Sequence, residues 1–201
     1  ECYGYLCGAY QITNDYKSAL EYANLALLNN NMDESAYYHK ISILRKMKRP
    51  SDALKVLEKL EKIYPESQML YYIFAQTYAD MEDYNKALLC INKQLIKEKD
   101  APNYRDKMVF LFRLERYEEG LEWGKKALEY EEQGLIYYWI SCCEAYLDRF
   151  EEALDSINKA ILLGEYDMWT FAQKYKILQE LGREKEAHFA YQKAVELGYD
   201  E

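Results

Sequence analysis

The chain has 201 residues, of which 50% are hydrophobic and 30% charged, and its formal net charge at neutral pH is −9. This excess of carboxylates repels the phosphate backbone of nucleic acids. No apolar run approaches the roughly 20 residues needed to cross a bilayer. We therefore predict neither a nucleic-acid partner nor a membrane partner.

A small residue recurs along the chain at intervals of 33 or 34 residues. The six anchors are Ala19, Ala53, Ala87, Gly120, Ala153 and Ala187. An aromatic residue stands 16 positions before each anchor, in turn Tyr3, Tyr37, Tyr71, Tyr104, Tyr137 and Phe171. A period of this length is typical of supersecondary units that stack side by side. The predicted repeats are about 1–33, 34–67, 68–100, 101–133, 134–167 and 168–201, within a single array over 1–201.

Each predicted repeat consists of two helices joined by a short polar turn. Apolar residues recur one, four, seven and eight positions after the anchor, which places them on one stripe of a helix. The predicted turns are Thr13-Asn14-Asp15, Lys48-Arg49-Pro50, Glu82-Asp83, Glu115-Arg116, Asp148-Arg149 and Gly182-Arg183. Turns this short bring consecutive helices back antiparallel. Since no strand-like alternation is present, we predict an all-α chain of twelve helices.

A second periodicity of 67 residues lies above the first. Three positions after the leading aromatic, every second repeat has a lysine, namely Lys40, Lys107 and Lys174, where the other repeats have an apolar residue. One interpretation is that the true unit is a pair of repeats, and the other is drift among similar copies. In the first case we expect each lysine stem to lie along the surface with its charge in water.

The spacing of the repeat resembles that of the tetratricopeptide repeat. Tyr71-x2-Phe74-Ala75-x2-Tyr78, followed by Tyr84, Ala87, Ile91 and Gln94, is one clear copy. The resemblance covers essentially the whole chain and implies a right-handed superhelical solenoid of six helix-turn-helix repeats. Local departures are Gly120 in place of alanine and Glu144 in place of an aromatic. We expect Gly120 and Gly124 to allow close approach of a neighbouring helix beside Trp123.

The same resemblance implies a groove, lined by the first helices of successive repeats, that holds an extended peptide or a partner helix. The corresponding positions here are Tyr5, Tyr38, His39, Ser42, Arg45, Tyr72, Ile73, Gln76, Arg105, Asp106, Val109, Phe112, Tyr138, Trp139, Cys142 and Tyr146. Tyrosine and tryptophan are enriched among binding hot spots. The alternative is that these tyrosines only pack between neighbouring first helices. The pair Tyr138 and Trp139 is the strongest candidate, because two adjacent large aromatics cannot both face one core.

One branch of the family binds the acidic carboxy-terminal tail of heat-shock chaperones through a clamp of lysine, asparagine and arginine. At the matching positions this chain has Gly4 and Gly8, Tyr38 and Ser42, or Tyr72 and Gln76. The clamp is missing, so a chaperone tail is not an expected partner. An aromatic groove on an acidic protein fits an apolar or mildly basic peptide, or the helix of a protein partner.

Catalytic and metal-binding motifs are absent from the sequence. The two histidines, His39 and His188, lie far apart, and the five cysteines lack the spacing of metal ligands. No phosphate-binding glycine loop or nucleophile motif is present. We predict no catalytic residues, no metal and no cofactor, and hence a protein that is not an enzyme. Unpaired cysteines are typical of a reducing compartment and favour a cytoplasmic location.

The sequence therefore predicts a non-catalytic scaffold whose partner is a protein or a peptide. The alternative function is a regulatory or substrate-docking arm of a multidomain enzyme or of a peptide-sensing transcription regulator. Neither end carries the polar cap usual for a solenoid, so we expect a segment of a longer protein. Self-association through the uncapped ends is a further expectation.

Overall fold

A computed structural model describes residues 2–200, and within this range the chain is all helix and turn, with no strand. Twelve helices lie in these residues, which confirms the predicted fold class. The chain divides into two compact units, residues 1–97 and residues 98–201. Each unit contains three helix pairs. The prediction of a single array over 1–201 stays a prediction.

The first unit contains six helices in three antiparallel pairs. They are α1 (Cys2–Ile12), α2 (Tyr16–Asn29), α3 (Glu34–Lys46), α4 (Pro50–Ile63), α5 (Leu70–Asp80) and α6 (Tyr84–Lys97). Each helix packs on its pair partner, and α2 also packs on α3 as α4 does on α5. One core cluster extends through α3, α4 and α5 around the fully buried Leu57 and Leu60.

The second unit repeats this arrangement. Its helices are α7 (Ala101–Arg113), α8 (Tyr117–Leu128), α9 (Gly134–Tyr146), α10 (Phe150–Leu162), α11 (Met168–Glu180) and α12 (Glu184–Glu196). Here α8 packs on α9 and α10 on α11, so that the first helices α7, α9 and α11 follow one another on one side. The first helices thus lie next to each other, as the resemblance implies.

The six anchor residues are buried, which explains their recurrence. Each sits on a second helix where it crosses the first helix of its pair, and the five alanines are at most 3% exposed. Only a small side chain lets two helix axes approach closely at such a crossing. The leading aromatic lies on the facing helix. In four of the repeats it belongs to a core cluster or packs against one, and these four residues are Tyr37, Tyr71, Tyr137 and Phe171.

All six predicted turns have the same backbone conformation. In the turn of the fourth repeat, the Glu115 N–H donates to Phe112 O, and the Arg116 N–H donates to Leu111 O. This pair of hydrogen bonds is a Schellman motif, which requires a positive φ at its penultimate residue. That position is held by Asn14, Lys48, Glu82, Glu115, Asp148 and Gly182, with φ from 57° to 69°. Five of the six turns therefore place an ordinary side chain where glycine would be favoured.

Gly124 lies at a close helix crossing in the second unit. A Cβ on this residue would lie 2.5 Å from Met108 Sδ on α7 and 2.9 Å from Ile140 Cγ1 on α9. At Gly120 the nearest atom, Cys143 Sγ, would lie 3.3 Å away. The predicted close approach of a neighbouring helix is confirmed at both glycines, and it is tighter at Gly124.

The three periodic lysines are half-buried. In the second unit, Lys107 Nζ lies 3.4 Å from the ring centroid of Trp123, and Lys126 Nζ lies 4.0 Å from the same centroid. Burial, aided by the charge of Lys126, lowers the pKa of Lys107 to about 8. The expectation that the ammonium groups lie in water is therefore wrong for Lys107, whose charge lies against an aromatic ring.

Candidate functional site

Three of the predicted groove residues form one aromatic cluster in the second unit. Phe112, near the end of α7, contacts the rings of Trp139 and Tyr146 on α9, with centroids 5.4 and 5.3 Å apart. Tyr117, the first residue of α8, stacks on Tyr146 at 4.8 Å. Tyr146 is 62% exposed, so the cluster reaches the surface. Neighbouring first helices thus present a continuous aromatic surface.

The pair Tyr138 and Trp139 lies at the centre of this surface, with ring centroids 5.3 Å apart. Tyr138 packs against the core cluster of α10, α11 and α12, and its hydroxyl lies beside the Cys142 thiol. Burial raises the pKa of the Tyr138 hydroxyl, and it raises the pKa of the Cys142 thiol to about 12. Cys142 is only 5% exposed, so it supports Tyr138 from below. Tyr138 is therefore fixed in place, while Trp139 presents one side to solvent.

A groove of about 400 Å³ opens next to this pair, and we call it the Trp139 groove. Its lining comes from the end of α7, from α9, from the segment between α10 and α11, and from the start of α11. The lining residues are Arg113, Leu135, Tyr138, Trp139, Glu165, Asp167, Trp169 and Thr170. Three large aromatic side chains thus share a groove with two carboxylates and one guanidinium.

Two local features build the acidic side of the groove. Gly134 begins α9, and a Cβ there would lie 2.5 Å from Glu165 Cγ and 2.9 Å from Ala160 O. The absence of a side chain at Gly134 therefore lets Glu165 pack down onto the helix start. Asp167 is the N-cap of α11, where its Oδ1 accepts a hydrogen bond of 2.8 Å from the Thr170 N–H. The Asp167 carboxylate is thus fixed by the backbone of α11, while the Glu165 side chain packs against the start of α9.

In the first unit, the predicted groove residues are spread over two other grooves. Tyr5 and His39 line one of about 920 Å³ between α1 and α3, where Gln11 Nε2 lies 3.3 Å from His39 Nδ1. Tyr38 lines the other, of about 800 Å³, between α3 and the start of α5. Ser67 Oγ donates to Glu34 Oε1 at 2.6 Å, and the Tyr38 hydroxyl donates its one hydrogen to this pair, to Ser67 Oγ or to Glu34 Oε1. The polar groups of this second groove therefore satisfy one another.

The remaining predicted residues lie on first helices outside these grooves. Ser42 on α3 is half-buried, and the Tyr72 N–H on α5 donates to the Gln94 side chain. Arg45 Nη2 donates to Gln76 O at 3.3 Å, which joins α3 to α5. On α7, Arg105 and Val109 are half-buried, and Arg105 pairs with its neighbour Asp106 at 2.9 Å. Of all the predicted positions, Phe112 on α7 and Tyr138 on α9 are the ones whose rings contact Trp139.

Sequence reasoning missed the other half of the Trp139 groove. Trp169 lies two positions before the leading aromatic Phe171, outside the positions transferred from the family, and its side chain is 56% exposed. An exposed tryptophan at the start of a helix was the available signal. Glu165 and Asp167 carried no signal, because acidic residues are common around helix starts.

Metal sites and membrane spans are not found among residues 2–200. No group of three or more histidine, cysteine or acidic side chains is placed to hold a metal ion within these residues. None of the helices described in this range is long and apolar enough to cross a membrane. The four cysteines with described side chains, Cys7, Cys90, Cys142 and Cys143, are free thiols.

Comparison with known proteins supports the repeat fold. Residues 12–94 match the family described as anaphase-promoting complex, cyclosome, subunit 3. The fold is similar to that of PilW, a type IV pilus biogenesis factor, with a TM-score of 0.90 and 15% identity over 100% of this chain and 94% of PilW. It is also similar to YrrB, described as a TPR protein with an unusual peptide-binding site, with a TM-score of 0.65 and 18% identity over 88% of this chain and 92% of YrrB. The chain therefore has the tetratricopeptide-repeat fold.

A third structure matches only in part of its length. The APC/C hetero-tetramer Cut9-Hcn1 gives a TM-score of 0.85 at 10% identity, and the match covers 99% of this chain but 40% of the other. No match was found among curated proteins. At these identities the comparisons establish the all-α helical-repeat solenoid. The tetratricopeptide-repeat fold explains why α7, α9 and α11 lie side by side, and hence why the Trp139 groove forms between them.

Proposed function

We propose that this tetratricopeptide-repeat chain is a non-catalytic interaction scaffold that holds a peptide or partner helix along its first helices. The observation that supports this function is the Trp139 groove, in which Tyr138, Trp139 and Trp169 line one opening between consecutive first helices. Tryptophan and tyrosine provide a large contact area at low entropic cost and dominate the energetics of many interfaces.

The groove has the rigidity that an anchor site needs. Tyr138 is held by the core beneath it, and Phe112 supports Trp139 from α7 at a centroid distance of 5.4 Å. Side chains that are already fixed lose little conformational freedom when a partner binds. The groove is also open at the surface, because Trp169 is exposed. A partner can therefore insert an apolar or aromatic group without rearranging the helices.

The similar structures agree with a binding role. YrrB is described as having a peptide-binding site, and Cut9 was crystallised in a hetero-tetramer with Hcn1. Tetratricopeptide repeats with this fold thus occur in proteins that bind a peptide or another protein. The cytoplasmic location expected from the cysteines, and self-association through the ends, stay predictions.

The proposal is tested by affinity capture with purified protein. The variant Trp139→Ala with Trp169→Ala removes two groove walls but leaves Tyr138, which packs on the core, in place. We expect this variant to lose the proteins that the parent chain retains from its native lysate, identified by mass spectrometry. Helicity and thermal unfolding are measured in parallel to show that the fold is intact.

Phe189→Ala is the matched control. Phe189 is also an exposed aromatic of the second unit, 62% exposed, but it lies on the second helix α12, outside the groove. This variant should retain the captured proteins. Equal retention by the groove variant and the parent chain would show that the partner binds elsewhere.

A further inference from the structure

We infer that the Trp139 groove selects its partner through a basic side chain, the guanidinium of arginine or the ammonium of lysine. This inference rests on the proposed function and names the chemistry of the group that the groove receives. Three properties of the groove carry it: its excess of carboxylates, its aromatic walls, and the position of Arg113.

Charge at the groove favours a cation. The Glu165 carboxylate makes no hydrogen bond or ion pair with any other residue of the described part of the chain, and Asp167 uses one oxygen to cap α11. The two carboxylates face one cation, Arg113, so the lining has a net charge of −1. The chain as a whole carries −9, which attracts basic partners toward the surface. An acidic group of a partner would be repelled from this groove.

The aromatic walls can hold a cation between them. The faces of tryptophan rings attract guanidinium and ammonium groups, and this attraction strengthens where water is partly excluded. Arg113 itself demonstrates the interaction, because its Cζ lies 5.8 Å from the ring centroid of Trp139. The second ring, Trp169, lies at the acidic side of the groove beside Asp167. An incoming basic side chain would thus contact aromatic faces and reach both carboxylates.

Arg113 would then compete with the basic side chain of a partner for the ring of Trp139. It is the last residue of α7, it is exposed, and no carboxylate of the described residues forms an ion pair with it. A basic side chain from a partner would displace its guanidinium from Trp139 into solvent at little cost. Removing the charge at residue 113 should therefore strengthen binding of a basic ligand. If Arg113 instead served to bind a partner carboxylate, its removal would weaken binding.

The test uses two peptides that differ in one charge. Acetyl-Leu-Arg-Leu-amide and acetyl-Leu-citrulline-Leu-amide have nearly the same shape, but only the first is a cation. Binding is followed by NMR through the indole N–H signals of the three tryptophans. Trp139 and Trp169 report on the groove. Trp123 lies outside it between two lysines and serves as the internal control.

We expect the arginine peptide to shift the signals of Trp139 and Trp169, and to bind about tenfold more tightly than the citrulline peptide. The variant Glu165→Gln with Asp167→Asn should reduce this ratio to about twofold or less. Asparagine still caps a helix, so α11 keeps its start. Arg113→Met should raise the affinity for the arginine peptide several-fold. Added salt should weaken the binding of the arginine peptide more than the binding of the citrulline peptide.

Three results would overturn the inference: equal affinities for the two peptides, no shift of either groove tryptophan by the arginine peptide, or weaker binding of that peptide to the Arg113→Met chain. None of these results bears on the proposed function. Loss of captured proteins from the Trp139→Ala, Trp169→Ala chain would still show that the groove binds a partner, by a contact other than a basic side chain.

Discussion

Inside the second unit, Ser156 Oγ on α10 donates a hydrogen bond of 2.6 Å to Glu144 Oε2 on α9. Glu144 occupies a position where the family usually has an aromatic residue, and here it is 8% exposed. Burial raises the pKa of its carboxyl group, while the bond from Ser156 opposes that rise. A buried acid in this core is thus held by one hydroxyl.

The variant Glu144→Gln should stabilise the chain at neutral pH by about 1 kcal/mol, because the amide oxygen still accepts from Ser156 but carries no charge to bury. In the parent, the raised pKa makes the folded state bind the proton more tightly than the unfolded state. The stabilising contribution of the protonated Glu144 carboxyl is complete below the unfolded pKa of about 4.3, and it is lost as the pH rises through the folded pKa. Urea unfolding from pH 4 to pH 8 measures how much the free energy of unfolding falls because of Glu144 as the pH rises. This fall should be absent from the variant.

Asp155→Asn is the control for that series. Asp155 lies on the exposed side of α10, so its neutralisation should leave the pH slope close to that of the parent. Identical slopes for Glu144→Gln and the parent would show that Glu144 is ionised in the fold at no cost.

Gly124→Ala should destabilise the chain by about 1–3 kcal/mol through overpacking. The new Cβ would lie 2.5 Å from Met108 Sδ and 2.9 Å from Ile140 Cγ1, so these two side chains of α7 and α9 must move within a packed core. Gly8→Ala on α1 is the matched helical control, because a Cβ there meets nothing within 4 Å. That change should stabilise by about 0.5–1 kcal/mol through helix propensity. Thermal unfolding of the two variants should move in opposite directions, and equal shifts would contradict the close crossing.

Glu115→Gly should stabilise the chain by about 0.5–1 kcal/mol, because Glu115 has a φ of 59° and glycine adopts this conformation without a steric cost. The gain is partly offset by the greater freedom of glycine in the unfolded chain. Glu122→Gly, in the middle of α8 and also exposed, should instead cost about 1 kcal/mol. Chemical denaturation distinguishes the two. A loss of stability in both would mean that the turn does not hold this conformation in solution.

The sequence predicted the helices and turns well because their cause is periodic. An anchor such as Ala153 is fully buried at a helix crossing, so it must recur in every repeat. The Schellman turns recur for the same reason, but five of them use a residue other than glycine, so their conformation was not evident from composition. A pattern repeated six times thus predicts what is common to all repeats.

Features that belong to a single repeat were harder to predict. The Trp139 groove depends on how α7, α9 and α11 follow one another, and Glu165 reaches it only because Gly134 lacks a side chain. Cys142 was expected in the groove by its position, but it lies buried under Tyr138. Such placements result from contacts between repeats, which a position-by-position transfer from the family does not contain.

Lys107 should titrate near pH 8, well below an ordinary lysine, because burial and the nearby Lys126 disfavour its charge. The folded state therefore releases this proton more easily than the unfolded state, in which lysine titrates at about 10.4. Stability from this group should rise as the pH increases from about 8 to about 10.4.

The titration can be followed by NMR of the ¹³C-methylated lysines. Lys126→Met should raise the midpoint of Lys107, because it removes the second charge at the Trp123 ring. An unchanged midpoint in that variant would leave burial as the sole cause, and a midpoint near 10.4 in the parent would show that the Lys107 ammonium lies in water after all.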